Sequence, residues 1–255
     1  MKYTVQALEV ARRQAEASVF TYLTDAGKEI EIAYRVWALH GPDGVLLVDT
    51  GPPLAEAERR GITRIRPIEE ALQEAGVTPA QVRTIILTHL HWDHASNAEK
   101  FPNANFLAQE GEIRFFCSCS REHPLLNRFF SHQSYLCSLI DAGRIQALHG
   151  DVQVAEGVRV MRVGGHTPGS QMVLVDTDEG LAVITGDAIP LHRNYTENIP
   201  SGIVTDTLEA IQALERVHEL RPARVYTGHD PQPFLRPSRS TAQRPAGRGH
   251  GRQGN

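Results

Sequence analysis

Four side chains able to bind a metal ion stand within six residues in Thr88-His89-Leu90-His91-Trp92-Asp93-His94. In an extended chain His89, His91 and Asp93 project to one side, and His94 points elsewhere. A loop that then curls into a short helix can therefore serve two ions. Three further candidates follow strand-like runs: His166 in Gly164-Gly165-His166-Thr167-Pro168-Gly169-Ser170, Asp187 in Thr185-Gly186-Asp187-Ala188, and His229 in Thr227-Gly228-His229-Asp230. Singly, a turn histidine or a capping aspartate is commonplace. Jointly, imidazoles and carboxylates without a thiolate suit borderline cations such as zinc, manganese, iron or cobalt. Two such ions roughly 3.5–4 Å apart share a hydroxide and polarise the bond it attacks. Water so held has its pKa lowered from about 15.7 towards about 7, which gives a nucleophile at neutral pH without serine or cysteine.

These residues need strands to present them. Arg35–His40, Gly41-Pro42-Asp43-Gly44 and Val45–Val48 read as a hairpin closed by an Asp-Gly turn. Pro67–Ala75 reads as a helix with Gly76 past its end. Gln81–Leu87 carries Ile85-Ile86-Leu87, a run suited to a strand buried on both faces. Val158–Val163, Gln171–Asp176, Leu181–Thr185 and Arg224–Thr227 read as further strands. Between Asp206 and Leu220 the spacing predicts a helix, with an Asp206/Glu209 capping box and a buried stripe of Leu208, Ile211, Leu214 and Val217. Residues 111–150 break the pattern and read as a mostly helical insertion covering part of the core. The expected class is α/β, with two sheets packed face to face and helices outside.

The chain has 255 residues, 41% hydrophobic and 22% charged, with mean hydropathy −0.30. That excludes collagen-like, coiled-coil and wholly disordered classes. No run of 18 apolar residues exists, and the first residues, MKYTVQALEVARRQ, make no secretory signal. Cys117, Cys119 and Cys137 form no even framework, so we expect buried, reduced thiols and a cytoplasmic protein. Residues 231–255 carry five arginines and no acid; the whole chain is −4, so residues 1–230 carry −9. We expect a disordered basic tail over 238–255 and one unit over 1–237, because the ligands come from both halves of it. An acidic body argues against nucleic acid as a partner, and nothing here points to a membrane.

The motifs THLHWDH, GGHTPGS, TGDA and TGHD, preceded by VDTG at Val48–Gly51, resemble the metallo-β-lactamase superfamily from Val48 to Asp230. The resemblance implies an αβ/βα sandwich with two divalent ions at one edge of its sheets, zinc foremost. It implies that His89, His91 and His166 hold one ion, that Asp93, His94 and His229 hold the other, and that Asp187 bridges them. Asp49 either orients this site or forms a turn with no contact to it. Asp187 stands where β-lactamases with a cysteine ligand need sulfur, which argues against antibiotic hydrolysis.

Within the superfamily, His166 through His229 and the helical insertion look most like the N-acyl homoserine lactonase group. That likeness implies a monomeric or homodimeric enzyme opening a small-molecule lactone or ester by attack of a metal-bridging hydroxide. Asp93 would pass a proton to the leaving alkoxide. Trp92, Phe115, Phe116, Phe129 and Phe130 are candidates for an apolar wall, or for ordinary core. The group's tyrosine three residues after the bridging aspartate is replaced here by Pro190; Tyr195 or His192 is the candidate substitute. A glyoxalase II-like thioesterase shares every ligand but would append a helical domain where this chain has its tail. Diiron oxygen reductases place glutamate where His91 stands, sulfur dioxygenases lack the second ligand set, and a metal sensor would tend to lose ligands. His40, His123, His132, His149, His192, His218 and His250 lack the joint spacing, and His218 is expected to face solvent.

Overall fold

The computed structural model describes residues 1–118, 123–130 and 133–237. The tail from Ser238, with His250, and also Cys119 and His132 lie outside them. The chain opens with two 13-residue strands, β1 (Thr4–Glu16) and β2 (Glu29–Gly41), paired antiparallel. Sequence reading assigned no strand to the first and started the second at Arg35. The reason lies in β1 itself: its register shifts between Glu9 and Ala11, which breaks the alternation that marks a strand. β3 (Gly44–Val48) completes the hairpin, whose two loop residues are Pro42 and Asp43, with Gly41 opposite Gly44.

Next come α1 (Leu54–Arg59), β4 (Arg64–Ile65), α2 (Ile68–Glu74), β5 (Thr84–Ile86), the one-turn α3 (Trp92–Ala95) and β6 (Asn105–Gln109). Pro79–Gln81 forms a 3-10 turn, so β5 is shorter than the run Gln81–Leu87 suggested. The 111–150 segment contributes α4 (Glu110–Ser118), α5 (Pro124–Asn127) and α6 (Gln133–Asp141), but it ends in a strand, β7 (Ile145–Leu148). These strands form a seven-stranded mixed sheet in the order β4-β1-β2-β3-β5-β6-β7. A second sheet of five strands has the order β12-β11-β10-β9-β8. It comprises β8 (Val152–Ala155), β9 (Val158–Arg162), β10 (Gln171–Thr177), β11 (Gly180–Ile184) and β12 (Arg224–Tyr226), with α7 (His192–Glu197) and α8 (Thr207–Leu220) before the last.

Period-two alternation builds the layers. Along β2, Trp37 and Leu39 turn to the inter-sheet core, where they meet Val158, Val160, Val173, Val175, Ile184 and Tyr226. Ile32, Tyr34, Val36 and Ala38 turn the other way, towards a core shared with Ala57, Leu72, Phe116 and Leu136 of the helices. Met172 and Leu174 of β10 likewise face Ala213, Leu214 and Val217 of α8. Central strands thus bury both faces, and each fully buried Leu, Val or Ile contributes about 1.5–3 kcal/mol. The architecture is an αβ/βα sandwich, as expected. Among the described residues no helix is long and apolar enough to cross a membrane.

Helix α8 departs from its predicted face. Its buried residues are Ala210, Ala213, Leu214 and Val217, whereas Leu208 and Ile211 are exposed. The cause is a close approach to the loop before His166: a Cβ built on Gly165 would lie 2.7 Å from the Ala210 backbone, so only a small-residue face fits. Asp206 caps the helix by accepting from Glu209 N at 2.9 Å, but the reciprocal half of the box is absent. Glu209 Oε2 instead accepts from Gly165 N at 3.1 Å. The helix start is tied to the metal-loop candidate rather than to itself.

Candidate metal centre

The seven candidates converge because each follows the end of a strand: His89, His91, Asp93 and His94 after β5, His166 after β9, Asp187 after β11 and His229 after β12. Strand ends fixed in two sheets hold the loops from behind. Thr50 closes the first loop by donating through N and Oγ1 to His94 O, at 2.7 and 2.9 Å. In the last loop, His229 N donates to Pro190 O at 2.7 Å. Gly228 makes room there, since a Cβ on it would lie 2.6 Å from Asp187 Oδ1.

Three groups of potential ligand atoms result: His89, His91 and His166; His89, His94 and Asp187; and Asp93, His94 and His229. Within each, the donor atoms lie within 4.8 Å of one another. Asp187 sits between them, with Oδ1 3.2 Å from His94 Nε2 and 3.0 Å from His229 Nε2, and Oδ2 3.6 Å from His166 Nε2. Asp93 Oδ2 lies 3.5 Å from His229 Nε2 and 3.6 Å from His94 Nε2.

The donor set fits cations. His89 Nε2, His94 Nε2 and Asp187 Oδ1 are buried without a hydrogen-bond partner, an arrangement that costs free energy unless something else binds those atoms. His91 Nδ1 and His166 Nε2 face each other at 3.0 Å. The opposite nitrogens are anchored: His166 Nδ1 donates to Ile203 O at 2.7 Å and His229 Nδ1 to Ala33 O at 3.0 Å. Carbonyls only accept, so each Nε2 lone pair is left free for a ligand bond.

Electrostatics divide the histidines. Burial, reinforced by neighbouring imidazoles, pushes His89 and His91 well below the ordinary histidine value, and burial lowers His166. These three are neutral, the form that binds metal. Burial acts in the same direction on His94 and His229, but the carboxylates of Asp187 and Asp93 outweigh it and raise both. Burial would raise Asp187, yet His229 and His94 hold it well below the carboxylate range. The second half of the cluster therefore stores a positive demand that cations would meet.

Asp49 belongs to this site. It is wholly buried, adopts φ +64°, and accepts from Thr88 N at 2.7 Å, Thr88 Oγ1 at 2.8 Å and His94 Nδ1 at 2.7 Å. Burial pushes its pKa up against those partners. Its sequence neighbours also describe a plain Asp-Thr-Gly turn, which is why both readings stood open. Asp49→Ala is expected to weaken metal binding by about 10–100-fold. Chelator competition would detect it, with circular dichroism unchanged.

Two residues carry no sequence signal. Glu112, on α4, is fully buried and accepts from Leu90 N at 2.9 Å, Thr167 Oγ1 at 2.5 Å and Gly169 N at 3.2 Å. It thereby ties the His89–His91 loop to the His166 loop. Tyr34, on β2, sets its ring edge against His229 at 5.1 Å, and its hydroxyl accepts from Arg13 Nε at 2.8 Å. An acid in a first helical turn and a tyrosine in a strand both look ordinary until the fold places them.

The proposed substitutes for a tyrosine at Pro190 fare differently. Tyr195 is in the cluster under α8, stacked on His218 at 4.2 Å among Ile189, Leu214 and Val217. It turns to the outer face of the small sheet because α7 packs there, so its ring is not brought to the seven candidates. His192 contacts Asp230 instead, its N donating to Oδ2 at 3.0 Å. Of the aromatics, Phe129 stacks on His91 at 5.1 Å and Phe130 meets it edge-on at 5.2 Å. Trp92 is buried, its N donating to Phe129 O at 2.8 Å. Phe116 and Phe115 pack behind Phe130. Cys117 is exposed rather than buried, because α4 turns it away from the sheet, and Cys137 is half-buried. His218 is exposed, as expected.

This fold and site define a class. A model of the metallo-β-lactamase superfamily matches residues 33–229, and the chain belongs to that superfamily. Over 231 residues it is 26% identical to N-acyl homoserine lactonase AiiA of Bacillus thuringiensis subsp. kurstaki, covering 84% of this chain and 87% of that one. It is 27% identical over 231 residues, with the same coverage, to an N-acyl homoserine lactonase of Bacillus cereus. Among solved structures, a B. thuringiensis AiiA variant with N-decanoyl-L-homoserine at its active site superposes with TM-score 0.75 at 25% identity, over 90% of this chain and 94% of that one. The dizinc quorum-quenching lactonase AidC shares the fold at TM-score 0.74 and 18% identity, over 94% and 95%.

Proposed function

We propose that this protein is a metal-dependent hydrolase that opens the ester bond of lactones, with N-acyl homoserine lactones as substrates and quorum quenching as the consequence. The observation that carries the reading is the shared position of Asp187 between His94, His166 and His229, with orphaned Nε2 atoms on His89 and His94. His89, His91 and His166 would hold one cation, Asp93, His94 and His229 the other, and Asp187 both; zinc is the foremost candidate. Bound there, the cations would supply Lewis acidity and a hydroxide nucleophile at neutral pH.

The chain's own groups do the rest. Asp93 stands in the second ligand group, where its carboxylate would take a proton and hand it to a leaving alkoxide. Phe129 and Phe130 against His91 give an acyl chain an apolar wall and exclude water. The relatives named above are N-acyl homoserine lactonases, and their coverage of this chain supports the same substrate class. Pro190 favours one alternative, a thioester or other carboxylic ester, because no tyrosine occupies that position. A panel of acyl homoserine lactones, simple lactones and a glutathione thioester separates the two. We expect kcat/KM for the acyl homoserine lactones to exceed that for the thioester; the reverse order would favour the thioesterase.

A further inference from the structure

His229, the last of the seven candidates along the chain, stands in a loop that β2 holds from the side. β2 runs over 13 residues, but β3 pairs only with residues 37–41 of it. The sheet order gives β2 no neighbours but β1 and β3, so residues 29–36 have one edge that no strand covers. The loop after β12 takes that edge. Ala33 N donates to His229 O at 2.9 Å, and His229 Nδ1 donates to Ala33 O at 3.0 Å. Two residues on, Arg35 reaches past His229 with its side chain. Its Nη1 donates to Asp230 O, and its Nη2 to Pro231 O at 2.6 Å. Arg12 adds a longer bond to Pro231 O at 3.2 Å.

Hydrophobicity does not explain an arginine at this position. Alternation puts Arg35 on the face of β2 that carries Trp37 and Leu39 into the inter-sheet core, and it is 3% exposed. Its counter-ion is Glu9 at 3.1 Å, which also pairs with Arg12 at 2.5 Å. Burying a guanidinium carries a desolvation cost, and an apolar side chain of similar volume often gives equal or better stability. Stability therefore does not account for the residue. What arginine supplies is a planar fork of donors in fixed directions. Here the fork closes on two consecutive carbonyls directly after a candidate metal ligand. The Asp230 carboxylate is engaged elsewhere, accepting from His192 N at 3.0 Å and Gln232 N at 2.9 Å. Arg35 meets that residue through its carbonyl.

We infer that Arg35 is a positioning residue for the second cation: by clamping Asp230 O and Pro231 O, it fixes the direction in which His229 presents Nε2. The inference rests on the proposed division of ligands, with Asp93, His94 and His229 on one ion and His89, His91 and His166 on the other. The first-ion set is held by different groups. His166 is anchored on Ile203 O, and the His89–His91 loop on Glu112 through Leu90 N. Loss of the Arg35 clamp should therefore act on one cation and spare the other. A general loosening of the sheet would not produce that asymmetry.

The test is a zinc titration of the stripped full chain against a chromophoric chelator, which gives an affinity for each equivalent of metal. Arg35→Met keeps much of the side-chain volume, and Glu9 retains Arg12 as its partner, so this variant should fold. Circular dichroism of the stripped protein checks that. We expect its first equivalent to bind as in the wild type and its second about 10–100-fold more weakly. Arg35→Lys, which keeps the charge and loses the fork, should fall between the two. Unchanged affinities in Arg35→Met, or an equal loss in both, overturn the inference. If Arg35→Met does not fold, Arg35→Lys decides by the same criterion. A wild type that takes up a single cation would overturn the two-ion assignment and the clamp with it. Two cations in the wild type, with no selective loss in the variants, overturn the clamp alone. Hydrolysis of N-hexanoyl-homoserine lactone is measured alongside. Selective loss of the second cation without any lactone cleavage by the wild type would leave the clamp standing and remove the lactonase reading.

Discussion

Asp187→Asn is expected to lower lactone turnover by at least about 10²–10³-fold, the scale of losing one preorganised electrostatic group. The substitution preserves shape and removes charge from a residue that stands within 3.6 Å of His94, His166 and His229. It leaves no carboxylate to bridge two cations, so elemental analysis should find the second equivalent of metal missing. The fold should survive. In the metal-free chain His94 and His229 hold the Asp187 carboxylate, so its neutral replacement removes a favourable buried pairing. Circular dichroism of the stripped variant should match that of the stripped wild type, with a lower thermal midpoint. Unaltered turnover would remove Asp187 from the mechanism.

Glu112 should show a different signature, because its loss strikes both loops and stability. Glu112→Ala leaves Leu90 N, Gly169 N and the Thr167 hydroxyl buried without their acceptor. At about 1–3 kcal/mol for each orphaned group, the expected destabilisation is about 3 kcal/mol or more. Urea denaturation of the stripped protein measures it. Glu112→Gln is the gentler probe: it keeps the side chain's volume and one carbonyl oxygen. We expect it to fold and to bind metal about 10–100-fold more weakly, as partners that orient ligands generally do when lost. Glu112 touches none of the seven candidate ligands, so wild-type metal affinity in Glu112→Gln would reduce it to a packing residue.

These two residues mark the limits of what was legible in the sequence. Asp187 could be singled out because a Gly-Asp-Ala turn after a strand joins three histidine motifs whose residue types already point to metals. Glu112 could not, since its meaning depends on α4 bringing it under loops 22 and 55 residues away in the chain. The same division runs through the fold. β5 was readable from a continuous apolar run, the second half of β2 from its Asp-Gly hairpin turn, and β10 from a short β-branched run. β1 was not, because its bulge at Glu9/Ala11 disturbs the alternation and its arginines face a cavity rather than solvent alone. Helix α8 was found, but its buried face was misjudged: the periodic Leu208 and Ile211 are exposed. Contact with Gly165 selects alanine, a preference that hydrophobicity does not report. Tyr195 failed for a related reason, since proximity along the chain to Pro190 says nothing about which side of a sheet α7 covers.

The central claim is that a pair of cations held by these seven residues carries out lactone hydrolysis. Its most direct test is a reconstitution: strip the protein with chelator, add back zinc in measured steps, and follow cleavage of N-hexanoyl-homoserine lactone at each step. We expect no turnover from the stripped protein and a rise that levels off at about two equivalents. Full turnover by the stripped protein, with metal absent by elemental analysis, would contradict the account.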